Sequence, residues 1–153
     1  MAPRLHFFYG TDNRASLAEV HRWVQLFHQK YGQTTHYTIE ADELTPEEVV
    51  RQLSQNMIGQ SLFPEPKLVL LKRLATYEAK RTSGLKLVTE YLSQKLADQG
   101  EEITIVLWEE RDLAPTKPLL TTAKEWEKKG LAKLQQFQVP EGKATTKKRK
   151  KKT

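Results

Sequence analysis

The stretch from Lys67 to Leu74 has the length of a β-strand, and its apolar centre is unbroken over residues 68–71. A strand with a continuous apolar centre is typically covered on both faces, as in a parallel sheet flanked by helices. The run Ile103–Trp108 has the same character and is the clearest strand pattern in the chain. Together the two runs predict a sheet with helices on both of its faces.

Strand patterns alternate with helical patterns along the whole chain. Further strands are predicted at residues 5–9 and 36–39 and, more weakly, at 134–139. Apolar residues at helical spacing fill each interval, and Ser16 with Glu19 reads as the capping box of the first helix. The order β-α-β-α-β-α-β-α-β predicts an α/β fold with a doubly wound, mostly parallel five-stranded sheet flanked by helices.

The positive charge of the 153-residue chain is concentrated at its end. Residues 143–153 hold seven of the 25 Lys and Arg residues and no acid, so residues 1–142 carry 18 basic against 19 acidic residues. We therefore expect a single domain over residues 1–140, followed by a disordered lysine-rich tail at 141–153.

The cations of this tail could contact the phosphates of DNA with little regard to sequence. A solubilising end with no specific partner is the alternative interpretation. The candidate contacts are Lys147, Lys148, Arg149, Lys150, Lys151 and Lys152. The chain has no cysteine, no signal peptide and no apolar run of membrane-spanning length, so the expectation is a cytoplasmic protein with no membrane partner.

The first strand-to-helix turn, residues 10–16, is where phosphates usually bind in a fold of this kind. A nucleotide-hydrolysing loop needs a Gly-Lys pair before a Ser or Thr, and this turn has none. Asp12 also places a negative charge where phosphates would lie. Because Arg14 could in principle replace the lysine, with Ser16 as the hydroxyl, an atypical nucleotide-binding protein stays open as an alternative.

The other polar residues form no catalytic or metal-binding pattern. The four histidines are scattered, and His21 and His28 lie seven residues apart, two helical turns, which is too far for one metal ion. Glu109 and Glu110 follow the strand Ile103–Trp108 and are interpreted as its solvated end. We therefore expect a protein with no catalytic residue, no metal and no cofactor.

Residues 57–66 form a corner between a predicted helix and a predicted strand. Pro64 and Pro66 prevent a regular element from continuing through it, so Leu62 and Phe63 fall on a turn. Such an apolar pair either packs onto its own domain or contacts a partner. The local pattern leaves both interpretations open.

Several short motifs occur in a definite order between residues 5 and 140. They are Tyr-Gly-x-Asp at 9–12, Ser-Leu-Phe at 61–63, Lys-Leu-Val-Leu-Leu at 67–71 and Asp-Leu at 112–113. In this order the chain resembles the N-terminal domain of the delta subunit of bacterial DNA polymerase III, a clamp-loader subunit. The resemblance implies an AAA+-like fold, related to P-loop proteins, that has lost its phosphate loop.

The resemblance also implies a function. It is that of a non-catalytic module that binds and opens the sliding clamp, the beta subunit, during DNA replication in the bacterial cytoplasm, at the nucleoid. In this family a Leu and a Phe at a helix end enter a hydrophobic pocket on the clamp. By residue match this role falls to Leu62 and Phe63, with Met57, Gln60 and Ser61 as the surrounding segment. The resemblance favours the partner interpretation of the corner.

Two points stay open. Members of the family continue into a helical domain and a collar domain that joins other clamp-loader subunits, whereas this sequence continues into the lysine-rich tail. Other clamp-loader subunits are therefore possible partners rather than expected ones. Besides the nucleotide-binding alternative, a DNA-binding protein that acts mainly through its tail is the other function considered.

Overall fold

The computed structural model describes residues 4–31, 36–57, 67–77, 82–97, 103–114 and 116–139. Five strands and four α-helices alternate along these ranges. The strands are β1 Leu5–Tyr9, β2 His36–Glu40, β3 Lys67–Lys72, β4 Ile103–Trp108 and β5 Ala132–Gln136. The helices are α1 Asn13–Tyr31, α2 Pro46–Met57, α3 Thr82–Ala97 and α4 Pro118–Lys128, and a 3₁₀ turn spans Ala41–Glu43. No helix within these ranges is long and apolar enough to cross a membrane.

The strands form one sheet in the order β2-β3-β4-β1-β5, and every neighbouring pair is parallel. The two apolar runs of the sequence, β3 and β4, lie side by side at the centre, with Leu70 opposite Val106. This confirms the predicted α/β fold with a parallel five-stranded sheet.

Among the helices that the structure describes, α1 covers one face of the sheet. Strand side chains that point to this face pack against the buried side of the helix. The resulting cluster contains Phe8, Val20, Phe27, Leu68, Leu70, Val106 and Trp108. Burial of each large apolar side chain contributes about 1.5–3 kcal/mol to folding, which fixes α1 across the sheet.

The opposite face is covered by α2, α3 and α4. Strand residues of the other parity, such as Phe7, Val69 and Ile105, pack beneath these three helices. Residues supplied by the helices include Val49, Leu53, Leu85, Leu92, Leu119 and Ala123. With helices on both faces, the sheet is doubly wound, as the alternation of patterns predicts.

The start of α1 differs from the sequence prediction. The Asp12 carboxylate accepts a hydrogen bond from the backbone N–H of Ala15 at 3.1 Å, and the helix begins one residue after Asp12. The predicted capping box of Ser16 and Glu19 is therefore wrong. Ser16 is fully buried inside the helix, and Glu19 forms an ion pair with Arg22 instead.

The edge strand β5 begins two residues earlier than predicted and ends at Gln136. The Glu127 carboxylate of α4 accepts a hydrogen bond from the backbone N–H of Leu134 at 3.1 Å. Phe137 donates its N–H to Tyr9 at 2.7 Å, so the amide of Leu134, three residues earlier, points away from β1. The Glu127 side chain thus binds a backbone N–H, that of Leu134, on the outer side of the edge strand β5.

Candidate functional site at the carboxyl edge of the sheet

The first strand-to-helix turn is filled by the chain that follows β5. Gly10 has a φ of +132°, and a Cβ atom at this position would lie 1.9 Å from the carbonyl oxygen of Phe137. The same carbonyl accepts the backbone N–H of Asp12 at 3.0 Å. Only glycine fits so close to the Phe137 peptide, which lies where a phosphate-binding turn would leave space.

Most backbone amides of this turn, those of Gly10, Asp12, Asn13, Ala15 and Ser16, are already bonded within the protein. The N–H of Gly10 donates to the carbonyl of Arg111 at 3.2 Å, and the N–H of Ser16 donates to the carbonyl of Asp12 at 3.0 Å. Ala15 donates to the Asp12 side chain. Amides engaged in this way do not point at a ligand, so the turn lacks the arrangement that holds phosphates in nucleotide-binding loops.

The two residues weighed for a nucleotide site are placed differently. Arg14 is exposed on α1. The Oγ of Ser16 accepts a 2.8 Å hydrogen bond from the indole N–H of Trp108 and donates to the carbonyl of Asn13 at 3.2 Å. The Ser16 hydroxyl therefore joins α1 to β4, and its orientation is set by the core.

Arg73 connects the carboxyl ends of three strands. Its guanidinium lies 2.6 Å from a carboxylate oxygen of Glu40 at the end of β2 and 2.9 Å from one of Glu110 after β4. A third carboxylate, that of Asp42, lies 4.0 Å away. Burial alone would lower the pKa of Arg73, but the hydrogen bond and charge of Glu110, with the charges of Asp42 and Glu40, raise it above its usual value.

The backbone at Arg73 has an uncommon conformation. Its φ is +60°, the left-handed region that residues other than glycine rarely adopt. Its N–H donates to the carbonyl of Trp108 at 2.9 Å, and its guanidinium lies 5.1 Å from the centre of a ring of Trp108. This conformation ends β3 and turns the side chain back across the sheet, where the cation stacks on the aromatic ring.

The two glutamates after β4 have different environments. Glu109 is only 2% exposed, and its carboxylate accepts the backbone N–H of Ala75 at 3.1 Å. Interpreting both residues as a solvated strand end is therefore wrong for Glu109, because this side chain bonds the turn after β3. Glu110 is more exposed and pairs with Arg73.

Tyr77 ties the turn after β3 to the chain that follows β2. Its hydroxyl lies within hydrogen-bond distance of two backbone carbonyls, those of Ala41 at 2.9 Å and Leu44 at 2.8 Å. Burial, with the nearby charges of Glu47 and Asp42, raises the pKa of Tyr77 to about 12. The phenol is therefore a permanent hydrogen-bond donor at physiological pH.

These contacts surround a polar cleft of about 160 Å³. Its lining comprises Asp42, Arg73, Thr76, Glu109, Glu110 and Arg111. Within the described ranges no group of three His, Cys, Asp or Glu residues could hold a metal ion. The carboxylates of the cleft bind Arg73 and the Ala75 amide, so this arrangement fixes the ends of β2, β3 and β4 relative to one another.

The fold is similar to that of a bacterial DNA clamp loader protein. The Bacillus subtilis DNA clamp loader delta protein (YqeN) superposes with a TM-score of 0.63 at 14% sequence identity, over 95% of this chain and 41% of that chain. Saccharomyces cerevisiae RIF2 superposes with a TM-score of 0.51 at 16% identity, over 92% of this chain and 50% of that chain. No protein-family model and no curated protein sequence matches the chain.

At these identities the likeness concerns the fold. The chain spans less than half of the Bacillus subtilis delta protein and half of RIF2. The resemblance read from the sequence motifs and the similarity of the structures thus indicate the same architecture. The sequence resemblance implies a first turn without a phosphate loop, and the close approach of Phe137 to Gly10 agrees with that expectation.

Most of the predicted clamp-binding segment lies outside the described residues. Gln60, Ser61, Leu62 and Phe63 belong to this part, and Met57 is the last residue of α2. The segment joins the end of α2 to the start of β3. The start of β3 lies at the amino edge of the parallel sheet, opposite the edge that carries Arg73.

The predicted tail contacts, residues 147–152, also lie outside the described part of the chain. Conversely, sequence reasoning placed Arg73 inside the predicted strand 67–74 and interpreted Glu109 as a solvated strand end, so it missed the contacts of both. A signal existed for each, because both are charged residues at the end of an apolar run: Arg73 comes two residues after the run 68–71, and Glu109 directly follows Ile103–Trp108. Neither signal says which distant group the side chain would meet.

Proposed function

We propose that the protein is a non-catalytic, clamp-loader-like module that binds a sliding clamp through residues 57–63. The observation that carries this proposal is the similarity of the fold to the Bacillus subtilis DNA clamp loader delta protein across 95% of the chain. The filled first turn is consistent with it, because a subunit without a phosphate loop acts by binding rather than by nucleotide hydrolysis.

The packing of α2 supports clamp binding through Leu62 and Phe63. Val49 and Leu53 of α2 are fully buried and pack in the main core cluster with residues of β3 and α3. The apolar side of α2 therefore has core partners among the described residues. Burial of Leu62 and Phe63 in a pocket on a partner would contribute about 1.5–3 kcal/mol each, which is enough to anchor a modest interface.

The test is retention of the cognate sliding clamp by immobilised protein. A Leu62→Ala/Phe63→Ala variant should lose most of the retained clamp. The matched control is Leu26→Ala/Leu87→Ala, which removes two exposed apolar side chains that are 45% and 39% accessible elsewhere on the surface. This control should retain the clamp as the unmodified protein does. Equal retention by both variants would remove the proposal.

Thermal unfolding of the same variants separates the two interpretations of the corner. If Leu62 and Phe63 contact a partner, their replacement changes the free energy of unfolding by about 0.5 kcal/mol or less per residue, as for other surface substitutions. If they pack in their own core, the loss is about 2–5 kcal/mol each. A large loss of stability would contradict a role in partner binding.

The nucleotide-binding alternative predicts that Mg²⁺-ATP raises the melting temperature. The bonded amides of Gly10, Asp12, Asn13, Ala15 and Ser16, with the buried Ser16 hydroxyl, argue for an unchanged melting temperature at millimolar ATP. A rise would favour the alternative, since a ligand that binds only the folded state stabilises it.

A further inference from the structure

The two edges of the sheet differ in how their outward backbone groups are used. At the β5 edge, the Glu127 carboxylate binds the outward N–H of Leu134. At the other edge, within the described residues, β2 pairs with β3 alone. An edge strand presents a row of N–H and C=O groups with which another strand can pair. The β2 edge is therefore the margin of the sheet at which a further strand can be added.

The backbone groups of Thr38 are among those that point outward from β2. The N–H of Arg73, at the end of β3, donates to the carbonyl of Trp108 on β4 at 2.9 Å. Because successive residues of a strand point their backbone groups to opposite sides, those of Leu70, three residues earlier, point towards β2. Thr38 lies opposite Leu70 in the parallel register. The slanted bonds of a parallel pair join Leu70 to the residues on either side of Thr38, so the N–H and C=O of Thr38 face away from β3.

The composition of β2 favours pairing rather than protection of the edge. Its sequence is His-Tyr-Thr-Ile-Glu, and the three central residues are of types that are enriched in strands. It contains neither the proline nor the lysine that often prevents pairing at an edge. Thr38 is exposed, and its hydroxyl contacts the His36 ring at 3.3 Å. Among the described side chains, none binds the outward backbone groups of Thr38.

The sequence of β2 is complementary to a second, antiparallel copy of itself. A two-fold axis at Thr38 places this residue opposite its counterpart, and the two exchange both of their N–H···O bonds. Tyr37 then lies opposite Ile39 of the second copy, and an aromatic opposite a β-branched side chain is a favoured cross-strand pair. His36 lies opposite Glu40 of the second copy, so a hydrogen-bonding ring meets an acceptor and no like charges face each other.

The groups beside β2 also suit an interface. The Glu40 carboxylate lies 2.6 Å from the guanidinium of Arg73, so this edge brings no unpaired charge into a contact. The rings of His28 and His36 lie 5.7 Å apart, which places one side of the end of α1 next to β2. Tyr31 is three residues after His28, on the same side of the helix, and is 38% exposed. An aromatic ring with accessible surface therefore flanks the edge, as is common at protein interfaces.

We propose that two copies of this chain pair through β2 in antiparallel orientation, which joins their two five-stranded sheets into one. A peptide of unrelated sequence fits less well, because it would make the backbone bonds without the side-chain pairs that β2 offers to itself. The strand is five residues long, so the interface is small and the dimer is weak. We expect a dissociation constant on the order of 10–100 µM.

The test is sedimentation equilibrium of the full chain from about 1 to 500 µM, which brackets the expected dissociation constant. The unmodified protein should pass from one chain to two. Thr38→Pro removes the outward N–H at a position where an edge strand tolerates proline, and Thr38→Lys places like charges opposite each other. Each should raise the dissociation constant about tenfold or more. The matched control is Gln135→Lys, which adds the same charge at an exposed position of the other edge strand and should leave the dimer unchanged.

A monomer at every concentration overturns the proposal, and the β2 edge is then left to a partner of different sequence. Equal weakening by Thr38→Lys and Gln135→Lys overturns it as well, because total charge and not position would then matter. So does a dimer that neither Thr38 variant weakens. Thermal unfolding at about 1 µM, where the unmodified protein is monomeric, should be the same for the two lysine variants.

Single cysteines test the register, since the chain has none of its own. In Thr38→Cys the two Cα atoms on the axis lie about 5.5 Å apart, within the range of a disulfide. In His36→Cys, on the same strand, the two cysteines are four residues out of register and about 14 Å apart, beyond that range. Mild oxidation should therefore convert Thr38→Cys to a covalent dimer and leave His36→Cys largely as single chains. Equal cross-linking of the two variants overturns the antiparallel pairing at Thr38.

Discussion

The indole N–H of Trp108 donates a 2.8 Å hydrogen bond to the Oγ of Ser16, and both side chains are almost completely buried. This bond joins the carboxyl end of β4 to the first turn of α1. It also turns the hydroxyl of the first strand-to-helix turn away from any ligand. A residue that sequence patterns suggest as a helix cap or as the hydroxyl of a nucleotide site is a core hydrogen-bond acceptor instead.

Replacement of Ser16 by Ala should reduce the free energy of unfolding by about 1–3 kcal/mol, because the buried indole N–H loses its acceptor. Urea denaturation measures the change. Ser93→Ala is the comparison, since Ser93 accepts the indole N–H of Trp126 at 2.9 Å in a less buried site, and its loss should cost less. Equal stability of Ser16→Ala and the unmodified protein would contradict the role given to this bond.

Replacement of Gly10 by Ala should be strongly destabilising. The new Cβ would meet the Phe137 carbonyl at 1.9 Å, and the φ of +132° is itself unfavourable for alanine. We expect a loss on the order of 3 kcal/mol in the free energy of unfolding. Gly130→Ala is the control: its φ is +76°, but nothing lies within 4 Å of the added carbon, so about 1–2 kcal/mol is expected. Similar losses in the two variants would show that Phe137 does not fill the turn.

Two replacements of Arg73 distinguish the contribution of its side-chain ion pairs to stability from that of its backbone conformation. Arg73→Ala removes the ion pairs to Glu40 and Glu110 but keeps a side chain at a φ of +60°, so it should cost about 1–2 kcal/mol. Arg73→Gly loses the same pairs but relieves the left-handed strain, and it should be about 1 kcal/mol more stable than the alanine variant. At a strand end with an ordinary φ, the alanine variant would be the more stable of the two. A more stable Arg73→Ala than Arg73→Gly would therefore contradict the left-handed conformation of residue 73.

His36 should make stability depend on pH. Burial, with His28 and Lys72 nearby, holds the pKa of His36 below its usual value of about 6.5. The unfolded chain therefore binds the proton more readily, so the contribution of His36 to stability is present above about pH 6.5 and is lost as the pH falls towards its folded pKa. The denaturant concentration at the unfolding midpoint should decrease as the pH is lowered from about 7.5 to about 5.5. His36→Gln should reduce this decrease.

The control for His36 is His21→Gln, which replaces an exposed histidine on α1. It should keep the full fall in the denaturation midpoint over the same pH interval. If His36→Gln and His21→Gln respond to pH in the same way, burial of His36 is not the cause of the dependence.

The architecture could be predicted because its determinants are local. Unbroken apolar runs such as Ile103–Trp108 mark strands that are buried on both faces, and amphipathic patterns mark the helices between them. The alternation of the two leaves few topologies other than a parallel, doubly wound sheet. The limits of β5 were less well predicted, because they depend on where β1 offers hydrogen-bond partners.

The details of the carboxyl edge could not be predicted in the same way. Glu109 binds a backbone amide 34 residues away, and Arg73 binds carboxylates 33 and 37 residues away. Such contacts exist only once the sheet has brought the strand ends together. Leu62 and Phe63 are the reverse case, since the sequence singles them out and their role in clamp binding stays a prediction.

The hydrogen bond from the Leu134 amide to the Glu127 carboxylate affects which contacts the edge strand β5 can make with other molecules. A β-strand of another molecule would have to displace the Glu127 carboxylate before it could pair with β5 at Leu134. This requirement disfavours the edge-to-edge aggregation to which exposed sheet edges are prone. Pairing of an added strand along β5 is therefore disfavoured at this position.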